Sequence, residues 1–240
     1  LVASIHFGII YMVFATRSLK PLNNPVLKYY ISVIIVSAIL VSLSLKFQSA
    51  GFTWGKSFMT GFFHVISSIS TTGFAISDNN SWSLFACIIT ILITIPCGMA
   101  GSTTGGIKAD RMLLIFKTIG QQVKNAVHPS SINRLHIGNH ILDKDEIYPH
   151  VVFMCLYLIT IGASVALTIL SGMDVQNAVA TSISCLSNVG PALESVGTLG
   201  NFNGVPVLAK ITFIFDMFLG RVEIYPILAV SMMIFSGKNR

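Results

Sequence analysis

The chain has 240 residues, of which 53% are hydrophobic and 10% charged, with a formal net charge of +6, and its mean hydropathy is +0.76. A soluble domain carries about 25% charged residues, so the composition excludes an ordinary soluble domain and predicts a polytopic membrane protein. The excess positive charge follows topology, with no aromatic-interleaved basic patch, and no nucleic-acid partner is expected. Arg17, Lys20, Lys28, Lys108, Arg111, Lys117, Lys124, Arg134, Lys144, Lys238 and Arg240 fall on one set of loops and Lys46, Lys56 and Lys210 on the other; the positive-inside rule places the first set in the cytoplasm.

Leu1 to Thr16 reads as the end of a helix, and the chain, which begins inside this apolar segment without a signal peptide, is expected to be the C-terminal portion of a longer protein. Pro21-Leu22-Asn23-Asn24-Pro25 is a turn, because its prolines and asparagines cannot continue a helix. Val26 to Leu45 supplies the roughly 20 apolar residues that span a bilayer. Trp54 to Ser70 is serine-rich, holds Gly61 and His64, and ends at Thr71-Thr72-Gly73; it is expected to dip into the membrane and return. Trp82 to Cys97 is expected to cross back as one helix, and a basic helix starts near Ile107. Asn125 to Glu146 is a polar cytoplasmic linker around His128-Pro129-Ser130-Ser131. Tyr148 to Leu170 spans again, Asp174 to Ser187 is a second short dip, and Pro206 to Phe235 is read as one long closing helix that keeps its apolar course. Asp174 and Asn177 suit the positive end of the second short helix. Cys87, Cys97, Cys155 and Cys185 lie in apolar runs without metal-ligand spacing, which predicts buried reduced thiols.

Between Cys97 and Ile107 runs Gly98-Met99-Ala100-Gly101-Ser102-Thr103-Thr104-Gly105-Gly106. So many glycines unwind a helix, and unwound backbone survives at membrane depth only where it lines water or packs in protein. The halves also repeat. Offset by 117 residues, Ile66 to Gly73 falls on Ile183 to Gly190, with four of eight positions identical. A short helix stopping at Ser-x-x-Gly can present backbone carbonyls to a dehydrated cation. The candidate filter residues are therefore Ser70, Thr71, Thr72 and Gly73, with Ser187, Asn188, Val189 and Gly190, and the negative helix ends point at the ion. The predicted architecture is all-α, with two potassium-channel-like units of helix, re-entrant pore loop and helix.

Ser70-Thr71-Thr72-Gly73-Phe74, Gly98 to Lys108, Ser187-Asn188-Val189-Gly190-Pro191 and Leu219-Gly220-Arg221-Val222-Glu223 resemble, in order and spacing, the TrkH/KtrB potassium-uptake family. Ser4-Ile5-His6-Phe7, Tyr11 and Lys20 to Tyr30 place the resemblance closer to the TrkH branch. The resemblance implies a four-repeat pore for K+ in the inner (cytoplasmic) membrane, with residues 1–24 ending a preceding repeat, 25–124 forming the third, 125–146 a linker and 147–240 the fourth. It implies a gate built from Gly98, Gly101, Ser102, Thr103, Thr104, Gly105 and Gly106, with Arg221 beside it. It also implies a cytoplasmic nucleotide-binding TrkA/KtrA-like partner, homodimerisation of the pore subunit within membrane lipid, and no cofactor in this chain. Pro96-Cys97-Gly98-Met99 and Asp216 depart from the family pattern.

Arg221 falls mid-helix, where a cation costs ~2.5–3.5 kcal/mol on insertion scales. It reads as an electrostatic barrier below the filter, the alternative being a salt bridge to Asp216 or Glu223 at unfavourable helical spacings. Asp78 and Glu194, just past the filter glycines, could gather cations at the mouth, or be solvated loop charges. His64 is expected behind the filter, and His128, His136, His140 and His150 at the linker or interfaces. No enzyme is expected: Gly101 and Gly106 fit the phosphate-loop pattern GxxxxGK(S/T), but Ile107 stands at its lysine position and Lys108 is followed by Ala109, so the hydroxyl is absent as well, and Ser102 has no assignable base. The alternative transport reading is a broken-helix secondary cation transporter.

Overall fold

The computed structural model describes residues 1–48, 52–128, 135–137, 140–142, 144–192, 196–197 and 200–236. Glu194, Arg134, Pro129 to Ser131, Lys238 and Arg240 lie outside them.

Among the described residues the regular structure is helical apart from a short hairpin, as an apolar sequence that must satisfy its own backbone hydrogen bonds in lipid requires. Helix α1 (Phe7–Thr16) is followed by α2 (Pro25–Gln48), whose first residue is a proline, tolerated where no N–H is needed. Helix α3 (Trp54–Ile69), α4 (Leu84–Leu92) and α5 (Ala109–Val127) complete the first half. Strands β1 (Leu135–Ile137) and β2 (His140–Leu142) pair antiparallel within the linker. The second half holds α6 (Lys144–Leu170), α7 (Val175–Leu186), α8 (Val207–Val222) and α9 (Ile224–Ser236). Among the described residues, α2 and the apolar part of α6 are long and apolar enough to cross a membrane. Asp174 caps α7 as expected, its carboxylate accepting from Gln176 N at 3.0 Å.

The halves are built alike. Helix α2 packs on α3 and α4, α6 on α7 and α8, and the units meet through α4 with α7 and α5 with α6. One apolar core gathers Tyr30, Ala38, Val41, Leu45, Val65 and Ile69. A second joins Ile107, Phe153, Tyr157, Leu186 and Ile224, tying the glycine-rich segment to the second half.

Four expectations are corrected. Leu1 to Thr16 is not the end of one helix: α1 begins at Phe7, capped by the His6 ring, which accepts from Gly8 N at 2.8 Å, and Val2 to Ser4 form a separate turn. Trp82 to Cys97 is not one crossing helix: α4 has nine residues, about 14 Å at 1.5 Å per residue. Its ladder closes in tight turns at Ile93 and Thr94, and Pro96 then pairs with Ile107 as an isolated bridge. Nor is Pro206 to Phe235 continuous. Helix α8 stops at Val222, Glu223 takes φ 66° and ψ 153°, and α9 restarts at Ile224. Pro226 fits this break, since in an uninterrupted helix its ring would clash with the carbonyl four residues back, whereas a first turn tolerates it. Finally, the four cysteines are free, but only three are buried: Cys155 is exposed. It sits on an outward face of α6, where an apolar run need not mean burial within protein.

Candidate ion-pathway site

The two Ser-x-x-Gly exits have the same geometry, residue for residue. In the first, the N–H groups of Ser70, Thr71 and Thr72 donate to the carbonyls of Ile66, Ser68 and Ser67 at 3.0, 3.1 and 3.0 Å. In the second, Ser187, Asn188 and Val189 donate to Ile183, Cys185 and Ser184 at 2.9, 3.0 and 3.0 Å. Ser70 and Ser187 close their helices at φ −86° and −81°. Thr71 and Asn188 then take φ 51° and 58°, and Gly73 and Gly190 take 70° and 107°. Positive φ thus alternates with negative φ along each segment. Asparagine and glycine accept left-handed backbone readily; a β-branched threonine does so under strain, and such strain collects at functional sites. The sequence pointed to both glycines, but not to Thr71 and Asn188 as left-handed positions.

The segments are neighbours in space. A side chain at Gly73 would run into the carbonyl oxygen of Val189 and lie 3.2 Å from Pro191. Asn79 Nδ2 donates to Ala192 O at 2.7 Å, tying the outer loops together. Each segment is buttressed from behind. Ser70 Oγ donates to Ile66 O at 2.5 Å and Thr72 Oγ1 to Ser67 O at 3.2 Å. Tyr157, buried in α6, meets Ser187 Oγ at 2.9 Å, and Ser184 Oγ donates to Pro191 O at 2.7 Å. His64 is buried behind the first segment, edge-on to Trp82 and accepting from Ile76 N at 3.3 Å. Asp78 spends its carboxylate on a turn, accepting from Asn80 N at 3.1 Å.

The glycine-rich segment lies directly against the second exit. A Cβ at Gly105 would sit 2.7 Å from Ser187 O and 2.9 Å from Asn188 Cβ, so only glycine permits this approach. Gly106 lies between Cys97 and Ser187, and Gly98 beside Thr104 and Ser4 O. The N-terminal segment grips the loop by its backbone: Met99 N donates to Ser4 O at 2.9 Å, Thr103 N to Ala3 O at 3.4 Å, and Phe7 N to Gly101 O at 3.3 Å. The His6 ring covers Gly101. Within the loop, Ser102 Oγ donates to Met99 O at 2.5 Å and meets Thr104 Oγ1 at 2.8 Å, and the Lys108 ammonium donates to Thr104 O. Ala109 N donates to Gly98 O at 3.0 Å, so loop and α5 begin as one piece.

Arg221 reaches this loop. Its Nη1 donates to Thr103 O at 2.6 Å, and neither Asp216 nor Glu223 pairs with it: Glu223 bonds Arg111 at 2.7 Å, and Asp216 accepts from Ser164. Gly220 allows the close crossing, since a Cβ there would land on Leu186 O. Asn188 Nδ2 donates to Met217 O at 3.1 Å, fastening the second exit to the same helix. The structure thus brings together both exits, the loop from Gly98 to Gly106 and Arg221. The grip of Ala3, Ser4 and Phe7, the Tyr157 buttress and the Arg111–Glu223 pair were missed; backbone-mediated and long-range contacts leave no local pattern to find them by.

The family model for TrkH, a cation transport protein, matches residues 25–239. The chain belongs to the TrkH family. It is 29% identical over 234 residues to the Trk system potassium uptake protein TrkH of Escherichia coli K12, across 96% of this chain and 47% of that one. It is 31% identical over 170 residues to the Trk system potassium uptake protein TrkI of Halomonas elongata, across 70% of this chain and 34% of that one. The crystal structure of the potassium transporter TrkH from Vibrio parahaemolyticus superposes with a TM-score of 0.87 at 25% identity, covering 95% of this chain and 49% of its own. The chain spans about half the length of these relatives. The family match contains both exits, the glycine-rich loop and Arg221.

Proposed function

We propose that this chain forms half of a gated pore for potassium uptake across the cytoplasmic membrane, with residues 25–124 and 147–240 as the third and fourth of four pore repeats. The observation that carries the reading is the paired exit geometry: two segments with matching backbone bonds and alternating φ, in contact through Gly73 and Val189. Carbonyls so held can replace the hydration shell of a cation, and the negative ends of α3 and α7 favour it. Residues 1–24 close a preceding repeat and clamp the gate; 125–146 link the two repeats. The loop from Gly98 to Gly106 is the gate, and Arg221, exposed beside Thr103, adds a positive barrier. The complete subunit works as a homodimer with a cytoplasmic nucleotide-binding subunit, as the family resemblance implies, and carries no catalytic chemistry. Rubidium uptake by the complete protein, with sodium as competitor, tests the reading: saturable uptake resistant to sodium supports it, and uptake abolished by equal sodium overturns potassium selectivity.

The breaks at Gly98–Gly106 and Glu223 also fit a secondary cation transporter with discontinuous helices. The two units run helix, short helix, helix in the same chain direction, which favours the pore. Resolved unitary currents from the complete protein distinguish a pore from strictly coupled exchange.

A further inference from the structure

The break between α8 and α9 is one residue long and falls on a non-glycine. Glu223 stands at φ 66° and ψ 153°, a region that glycine alone enters at little cost. Such a conformation persists only where its surroundings impose it, and four contacts surround this one. The Glu223 carboxylate accepts from Arg111 Nη2 at 2.7 Å. The Arg111 guanidinium lies over the Phe153 ring of α6, 4.1 Å from its centroid. Tyr225, just past the break, donates to Pro149 O at 2.6 Å and packs on Phe153.

Arg111 lies in the first turn of α5, the helix that the glycine-rich loop runs into. Ala109 N donates to Gly98 O and Cys97 N to Ile107 O, so the two ends of the loop and the start of α5 are fastened to one another. The hinge therefore touches that rigid piece twice: Arg221 holds Thr103 O, and Glu223, two residues on, holds Arg111. Lys108 adds a cation to the same group, within electrostatic reach of Arg111, Arg221 and Glu223.

We propose that Arg111 and Glu223 are positioning residues, a latch that holds the gate loop shut against Arg221 at the cost of a strained hinge. Breaking the pair frees α5 with its loop to swing from Ser187 and lets residue 223 relax toward helix, so the strain favours opening. The latch lies on the helix that leads into the cytoplasmic linker, where movement of α5 can reach it. This rests on reading Arg221 and Thr103 as the gate contact.

The test is basal rubidium uptake by the complete protein in cells, with membrane expression and gel-filtration profile as controls, in R111Q, E223A, E223G, the R111E/E223R exchange and R221A. A partly buried pair, its side chains 18% and 34% exposed, that holds one state predicts uptake raised roughly five-fold in R111Q and E223A. The exchange restores the pair and returns uptake toward wild type, an outcome that a merely damaged fold does not give. Glycine bears the hinge conformation without strain, so E223G leaks less than E223A. Wild-type uptake in both R111Q and E223A, or an exchange as leaky as the single variants, overturns the latch. If R221A also leaves uptake unchanged, the barrier reading itself has failed; leaky R221A with tight R111Q and E223A removes the latch alone.

Discussion

Replacing each candidate filter glycine by alanine separates two effects that the geometry assigns unequally. Gly73 stands at φ 70°, and a Cβ there would collide with the carbonyl oxygen of Val189 and lie 3.2 Å from Pro191. The left-handed backbone costs an L-residue about 1–2 kcal/mol, and overpacking against a backbone atom that cannot rotate away adds about 1–3 kcal/mol. Gly190 stands at φ 107° with nothing within 4 Å of an added Cβ, so Gly190→Ala bears the backbone strain alone, about 1–3 kcal/mol. Gly73→Ala is therefore the more destabilising, and because it pushes on Val189 it disturbs both segments at once. Thermal unfolding of the purified complete protein, followed by fluorescence size exclusion, gives the first ordering; rubidium uptake against sodium gives the second. The expected result is a lower Tm and a larger loss of rubidium preference in Gly73→Ala. A Gly73→Ala protein that melts at or above Gly190→Ala and keeps its preference would refute the steric argument.

Further outcomes follow from the buttresses. Tyr157→Phe removes the hydroxyl that meets Ser187 and should destabilise by about 1 kcal/mol, with Tyr157→Ala costing about 3–5 kcal/mol; equal melting of Tyr157→Phe and wild type would remove the buttress. Ser164→Ala leaves the buried Asp216 carboxyl without the hydroxyl that donates to it, at about 1–3 kcal/mol, and adding Asp216→Asn should recover part of the loss in a melting assay. Asn188→Val puts a β-branched residue at φ 58° and removes the bond to Met217 O; it should lower Tm by more than Asn188→Gly, which loses the same bond without strain.

Much of this was legible in the residues. Ser-x-x-Gly ends both short helices because serine and glycine serve the local turn, so the two exits could be read without a structure. The glycine-rich loop announced itself by composition, and Arg221 by its cost in an apolar helix. Hydropathy fails where the chain breaks a helix without changing polarity. Ile93 to Cys97 and Val222 to Tyr225 stay mostly apolar on both sides of their breaks, and the local signals, Pro96 and Pro226, are single residues. What holds Glu223 in place is Arg111, 112 positions earlier, and what grips the loop is the backbone of Ala3, Ser4 and Phe7, which no side-chain pattern encodes.

The central claim is that a permeating cation is held by backbone carbonyls between Ser70–Gly73 and Ser187–Gly190. Anomalous diffraction from crystals of the complete protein grown in thallium tests it most directly. An anomalous peak is expected between these two segments; thallium bound elsewhere in the bundle, with none between them, would contradict the claim.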